Sequence, residues 1–277
     1  MLYIGVDLGT SAVKLLMMDE NGNIQKIVSK EYPLYFPHPG WSEQNPQDWF
    51  AQSMEGIKEL TYKEIAANEE INAYLRKGDE NLGMLGFTDH SQAHCTEVAH
   101  QAGKILERFG YSKHEIELAK ITGYMHDIGN AINRTHHAEY GALLANDLLK
   151  EVQMPLEDRI TIVSAIGNHD ESTGSPEDVI SAALIIADKT DVRRSRVRQK
   201  EMAAFDIHDR VNYAVTESKL KIEKDRSMIA LNLQIDESIC SMYDYFEIFL
   251  GRMMLCRKSA EILGTTFKLT VNGRKVL

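Results

Sequence analysis

Eight of the ten histidines in this 277-residue chain fall between His90 and His169, and their placement on helical patterns constrains the fold more than any other feature. His94 lies one turn before Val98, and Val98, Ala102, Ile105, Leu106 and Phe109 continue the same stripe. That period puts His94 on the buried face of an amphipathic helix, while His100 falls off it. A second helical pattern starts at Ser112, a good N-cap, runs through Ile116, Ala119 and Tyr124, and ends at the adjacent pair His126-Asp127, with Gly129 as the expected stop. His137 opens a third pattern through Leu143, Leu144 and Leu148. Leu156–Asn168 reads as a fourth, ended by His169, and the apolar run Pro176–Asp188 as a fifth that delivers Asp188 near its C-terminus.

A single histidine on an apolar face is ordinarily a core residue with its ring nitrogens hydrogen-bonded. Several imidazoles and carboxylates buried together are another matter, because each unpartnered polar group costs free energy. One kind of partner satisfies them jointly: a divalent cation accepts a lone pair from each. His94, His126, Asp127 and Asp188 form the core of such a set. His137 and His169 extend it, although a histidine at a helix start or at a C-cap favoured by the helix dipole is the plainer reading of each.

The bulk numbers exclude several function classes. A net charge of −10 disfavours nucleic acid and anionic membrane as partners of the whole surface. Three widely spaced cysteines, Cys95, Cys240 and Cys256, do not make a disulfide framework and fit a cytoplasmic protein. Asp7 interrupts the first apolar run and no basic segment precedes it, so no secretory leader is expected. No apolar stretch approaches the ~20 residues of a membrane span.

The chain reads as α+β in three parts. Residues 1–58 begin β-rich: Leu2–Val6, Ala12–Met18 and Ile24–Ser29 are strands, with Asn21-Gly22 as a turn. A Pro/Gly-rich loop follows, and Asn45 caps a helix starting near Pro46. Residues 61–200 are helical from about Thr61. Residues 201–277 form a small α+β tail. In it, Lys219–Ile222 and Met228–Ile235 flank a turn at Lys224-Asp225, and a helix spans about Ser238–Leu263. A second hairpin turns at Asn272-Gly273.

The order His94, His126-Asp127, Asp188, with Val98 four residues after the first histidine and Ala187 and Lys189 around the last aspartate, resembles the HD superfamily of metal-dependent phosphohydrolases. The resemblance covers about residues 61–277 and implies a predominantly helical domain. His137 and His169 match the extra histidines of binuclear members, such as those that hydrolyse diadenosine tetraphosphate. It implies two divalent ions (iron, manganese, zinc, nickel, cobalt or magnesium), with Asp127 bridging them. His94, His126 and Asp188 would hold one ion, and His137 and His169 the other. Such ions acidify a bound water and neutralise phosphate oxygens, so the implied reaction is hydrolysis of a nucleotide or other small phosphate ester. Asp170 or His90 could move protons.

Two departures bear on the substrate. Many members carry Lys after His-Asp-Ile-Gly, and this chain has Asn130. Candidate replacements for that phosphate-binding cation are Arg134 and the run Arg193, Arg194, Arg196 and Arg198, because guanidinium forks suit phosphate oxygens. If that run is helical, Arg194 and Arg198 share one face while Arg193 and Arg196 share another. Residues 169–176 lack the Gly-Tyr-Pro element of cyclic-di-GMP phosphodiesterases, and the residues after His126-Asp127 lack the Glu-Asp pair of guanosine tetraphosphate hydrolases. Rival readings keep the same ligands: an iron- and O2-dependent oxygenase similar to inositol oxygenase, or a binding module without turnover.

Gly5–Ser11 reads as a strand, a glycine turn and a second strand. Together with Pro39–Pro46 it resembles the N-terminus of xylulokinase-type (FGGY) sugar kinases over about residues 1–58, which implies a fragment of an actin-like ATPase fold. Asp7, Thr10 and Ser11 would be its first phosphate loop. The family's catalytic aspartate and adenosine loops lie far downstream and have no counterpart here. Sheet edges and an apolar face are therefore expected to stay uncovered, which leads to an expected homodimer or packing against the helical part.

Overall fold

The computed structural model describes residues 2–152, 154–198, 207–223, 225 and 227–277. It divides into two compact units, Met1–Asn68 and Glu69–Leu277. In the first, β1 (Leu2–Leu8), β2 (Ala12–Asp19) and β3 (Ile24–Glu31) form an antiparallel meander, followed by α1 (Pro46–Ala67). The β1, β2 and β3 positions match the sequence reading within two residues at each end. Gly22 takes the left-handed φ of +80° that the Asn21-Gly22 turn needs. Asn45 caps α1 by accepting from the Gln47 backbone N–H at 3.1 Å. The helix then continues through Thr61 to Ala67, so the change of texture near that residue is not a break in structure. Leu15, Met17 and Val28 pack with Ile57 as this unit's core, whereas Ile4, Val6, Leu8, Ile24 and Ile27 are exposed.

The second unit is a helical array: α2 (Glu69–Met84), α3 (Gln92–Phe109), α4 (Lys113–Met125), a 3-10 turn at Ile128–Ala131, α5 (His137–Glu151), α6 (Leu156–Gly167) and α7 (Val179–Lys189). Ser112 and Glu115 close a capping box at the start of α4. A single-turn 3-10 segment, Arg194–Arg196, precedes α8 (Ile207–Ala214). The chain ends in a four-stranded sheet of β4 (Val215–Glu223), β5 (Met228–Ile235), β6 (Thr266–Val271) and β7 (Arg274–Lys275), with α9 (Met242–Ile262) as the crossover between parallel β5 and β6. β4 and β5 pair antiparallel as expected, and Lys224 of their turn lies outside the described residues. Asn272 and Gly273 turn the last hairpin at φ of +49° and +75°.

α7 is the axis of this unit. Ile180 through Ala187 are all buried, which is what a helix hydrophobic on every side requires. It packs on α3, α4, α6 and α9. Each fully buried Ile or Leu there stabilises by roughly 1.5–3 kcal/mol before entropy is counted. α3 and α4 cross closely at Gly123, where a Cβ would lie 2.8 Å from the Ala99 Cα. That approach sets His126, three residues on, against the helix carrying His94. Among the described residues, no helix is long and apolar enough to cross a membrane.

Candidate metal centre

Six donors converge from five segments. His94 comes from α3, His126 and Asp127 from the end of α4, His137 from the first residue of α5, His169 from just beyond α6, and Asp188 from α7. Three overlapping triads bring ligand atoms within 4.8 Å of one another: His94, His126 and Asp127; His126, His169 and Asp188; and Asp127, His137 and His169. Asp127 faces two ways. Its Oδ2 lies 3.3 Å from His126 Nε2 and 3.8 Å from His94 Nε2, while its Oδ1 lies 3.7 Å from His137 Nε2. Asp188 Oδ1 sits 3.4 Å from His94 Nε2 and 3.6 Å from His126 Nε2.

The other ring nitrogens settle which atoms are free to bind. Nδ1 of His126 meets the Gly123 carbonyl at 2.8 Å, that of His137 the Arg134 carbonyl at 3.2 Å, and that of His169 the Ile166 carbonyl at 2.6 Å. His94 Nδ1 meets Asp191 Oδ2 at 2.7 Å. Carbonyls and carboxylates only accept, so in each neutral ring the proton is on Nδ1 and the lone pair on Nε2. When neutral, all four rings aim Nε2 lone pairs into one buried space. His137 Nε2 and His169 Nε2 are 3.2 Å apart with no proton to share between neutral rings. His94 Nε2, His126 Nε2 and Asp127 Oδ2 are buried without a hydrogen bond. Lone pairs facing lone pairs need cations between them, so the residues present fit divalent metal.

Charge distribution agrees. Burial would push the Asp127 and Asp188 carboxyls up, but His126 beside the first and Lys189 beside the second hold both well below the carboxylate range. Burial pushes the His169 imidazolium out, helped by Lys189 and His137, so this ring stays neutral. His126 is the exception in the metal-free protein: burial lowers it, yet Asp127 and Asp188 outweigh burial and raise its pKa from 6.5 to about 10. Metal must displace that proton. Apparent affinity should therefore rise about tenfold per pH unit up to about pH 10. Calorimetric titration with manganese at stepped pH checks this, and a flat profile would count against it. The sign for stability is opposite. Protonated His126 stabilises the metal-free fold fully below pH 6.5, and that contribution is lost as pH rises through about 10.

The remaining sequence candidates divide. Arg134 lines the cavity over the donors and stacks on Phe87, 5.6 Å from the ring centre. His90 lines it too, with Nδ1 on the Thr88 carbonyl at 2.7 Å, and burial drives its pKa well down. Asp170 Oδ2 is 3.8 Å from His137 Nε2, but Oδ1 is committed to the Ser172 backbone and hydroxyl. Arg193, Arg194 and Arg198 are not brought to the donors. Arg193 pairs with Asp191, Arg194 donates to the Tyr213 carbonyl and lies over that ring, and Arg198 pairs with Asp79. The segment holding them is a single 3-10 turn rather than a helix, so its side chains splay in different directions. Arg196, on the same turn, does line the cavity.

Gly129 also differs from expectation. α4 has already ended at Met125, and Gly129 is not in the left-handed region. Its missing Cβ lets the 3-10 turn touch α5, because a Cβ there would run into the His137 carbonyl and the Gly141 backbone N. Asn130 anchors the neighbouring ligand. Its Nδ2 donates to Asp127 Oδ1 at 2.9 Å and to the Asp127 carbonyl at 3.0 Å.

Residues 92–195 match the family model described as "HD domain". Those residues form an HD domain. All six donors lie inside it. Residues 2–74 match the N-terminal domain of the FGGY family of carbohydrate kinases. The xylulose kinase of Bacillus subtilis is 51% identical over 124 residues, covering 42% of this chain and 24% of that protein. The xylulose kinase of Staphylococcus epidermidis is 51% identical over 59 residues, covering 21% of this chain and 12% of that protein. An uncharacterized protein of Methanocaldococcus jannaschii is 28% identical over 173 residues, covering 53% of this chain and 64% of that protein. The chain thus spans less than two thirds of each of these relatives. N-terminal kinase-like residues and an HD domain are fused in one polypeptide.

Three parts of the HD-domain site escaped the sequence reading. Asp191, three residues after Asp188, orients His94 and is itself held by Arg193 and Arg196, which with His94 keep its carboxyl far below its usual range against burial. Its spacing from Asp188, one helical turn, was the only available signal. Asp191→Asn should weaken metal binding by about 10–100-fold while leaving the fold intact. Manganese affinity measured at one pH checks it, and an unchanged value would remove Asp191 from this role. Glu171 bridges two cations, buried Lys189 at 2.9 Å and half-buried Arg252 at 2.8 Å. Arg252 belongs to α9, and Asp209 and Asn212 of α8 line the same cavity. The C-terminal elements, beyond the HD-domain match, therefore build one wall of the site.

Proposed function

We propose that the HD domain is a metal-dependent phosphohydrolase that holds two divalent ions and acts on a small phosphate ester. One observation carries the two-ion reading: Asp127 turns Oδ2 toward His94 and His126 and Oδ1 toward His137. When bound, divalent ions supply an acidified water and positive charge against phosphate oxygens. The chain's own groups do the rest. Asn130 fixes the Asp127 carboxylate. Arg134 and Arg196 line the cavity with permanent positive charge suited to phosphoryl oxygens. His90, neutral and with Nε2 bearing its lone pair, is placed to accept a proton at that atom.

The test is metal analysis of purified protein followed by stripping, reloading with manganese, iron or zinc, and assay against a phosphate-ester panel. Two ions per chain with metal-dependent phosphate release is the expected result. One ion per chain defeats the two-ion reading, and inert metal-loaded protein defeats the hydrolase. Oxygen uptake by iron-loaded protein would instead select the oxygenase. For the kinase-like unit the proposal includes no sugar phosphorylation, since Asp7, Thr10 and Ser11 would supply a phosphate loop alone. The three described cysteines are free and buried, which supports a reducing, cytoplasmic setting.

A further inference from the structure

The cavity over the donors measures about 140 Å3. Pockets that enclose whole organic ligands occupy roughly 300–1,000 Å3, so this space suits a phosphoryl group and little more. A second cavity of about 540 Å3 adjoins it, and Phe87 and Arg134 belong to both. Arg134 lies over Phe87 and forms the ridge where the two spaces meet. The larger groove has an apolar floor of unusual exposure: Met84 is 87% exposed, Leu85 65% and Ile132 52%. Its polar side chains are Asn81, Asn130, Asn133, Arg134 and Thr135; the Asn130 amide is engaged on Asp127, and the amides of Asn81 and Asn133 each keep a hydrogen-bonding atom. Asn81 Nδ2 donates to the Asn130 and Ala131 carbonyls, which leaves its Oδ1 as an acceptor. Asn133 Oδ1 accepts from the Thr135 backbone, which leaves its Nδ2 as a donor.

We infer that the groove of Met84, Leu85, Phe87 and Ile132 is the subsite for the organic part of the substrate, and that this part is a flat heterocycle with a hydrogen-bonding edge. The inference rests on the phosphohydrolase reading. An apolar floor gives a planar ring area to cover. The donor on Asn133 and the acceptor on Asn81 read its edge. The guanidinium of Arg134, between groove and metals, holds the phosphate at the junction. A substrate of this shape spans both spaces, with its phosphoryl group over Asp127 and its ring on the floor. Glycerol phosphate has no apolar face for that floor. An acyl chain has no use for the paired amides.

Binding and turnover by manganese-loaded protein test this. The probes are adenosine 5′-monophosphate, phenyl phosphate, glycerol 3-phosphate and inorganic phosphate. Adenosine 5′-monophosphate is expected to bind at least tenfold more tightly than glycerol 3-phosphate or inorganic phosphate. Leu85→Asp and Ile132→Asp alter exposed positions and should abolish that advantage without changing the affinity for inorganic phosphate or the ion content. Asn133→Ala should weaken adenosine 5′-monophosphate while sparing phenyl phosphate. Equal binding of the nucleotide and glycerol 3-phosphate, or Asp variants without effect on the nucleotide, overturns the subsite. A preference for phenyl phosphate over the nucleotide overturns the heterocycle. In each of these cases metal-dependent hydrolysis of any panel member leaves the phosphohydrolase standing, and its absence across the panel removes that reading as well.

Discussion

On the two-ion phosphohydrolase proposed above, Asp127→Ala is expected to reduce metal content from two ions per chain to less than one and to lower phosphate-ester hydrolysis by more than about 100-fold, the upper range for losing a mere supporting partner of a metal ligand. The argument is geometric. Asp127 is the one donor whose two oxygens face separate histidine sets. Without it, His94, His126, His137 and His169 aim four lone pairs into a space with less negative charge to hold cations. Folding should survive. The raised pKa of His126 owes much to Asp127, so in the variant this ring can shed its proton rather than remain a buried unpaired charge. Metal analysis, circular dichroism and phosphate release together check the prediction. A variant that keeps two ions and full turnover would sink the bridging role.

Gly129→Ala should be among the most damaging conservative changes outside the ligands. A Cβ at this position meets the His137 carbonyl oxygen and carbon and the Gly141 backbone N. These are backbone atoms and cannot rotate away, so the 3-10 turn and α5 must separate. Overpacking of this kind costs about 1–3 kcal/mol. The separation also moves His137, the first residue of α5, away from Asp127 Oδ1. The expected result is a lowered melting temperature with loss of the ion that His137 and His169 would hold, the other being retained. Gly251→Ala in α9 is the control, because nothing lies within 4 Å of its added Cβ. A helix interior gains up to about 1 kcal/mol from that exchange. A Gly129→Ala protein that melts with the wild type and binds two ions would show that the turn and α5 can part freely.

What was legible in the sequence was legible over short distances. The stripe from His94 to Phe109, the Ser112 cap and the Asn272-Gly273 turn each depend on residues within a few positions of one another, and helical period and turn chemistry act on that scale. Errors arose where the neighbours that decide are distant. The run Arg193 to Arg198 looked like a phosphate grip because its charges are adjacent in sequence. In the folded chain Arg193, Arg194 and Arg198 are taken up by Asp191, Tyr213 and Asp79, and Arg196 alone of the run lines the cavity. Gly129 looked like a helix stop because it follows a helix, and its true constraint is the backbone of α5. Arg252 gave no local signal at all, since its link to the site runs through Glu171, 81 residues earlier.

By itself, the sequence determined the candidate donor set: which residue types can bind metal, their order, and the helices that carry them, because ligand chemistry belongs to the side chain and helical period to its near neighbours. Tertiary structure alone decided how the donors divide. Only the close crossing at Gly123 and the contact at Gly129 turn the two oxygens of Asp127 toward different histidines, and only folding joins His94 to Asp191 across 97 positions. Those outcomes depend on how helices pack, a property of surfaces meeting in space that no local pattern along the chain encodes.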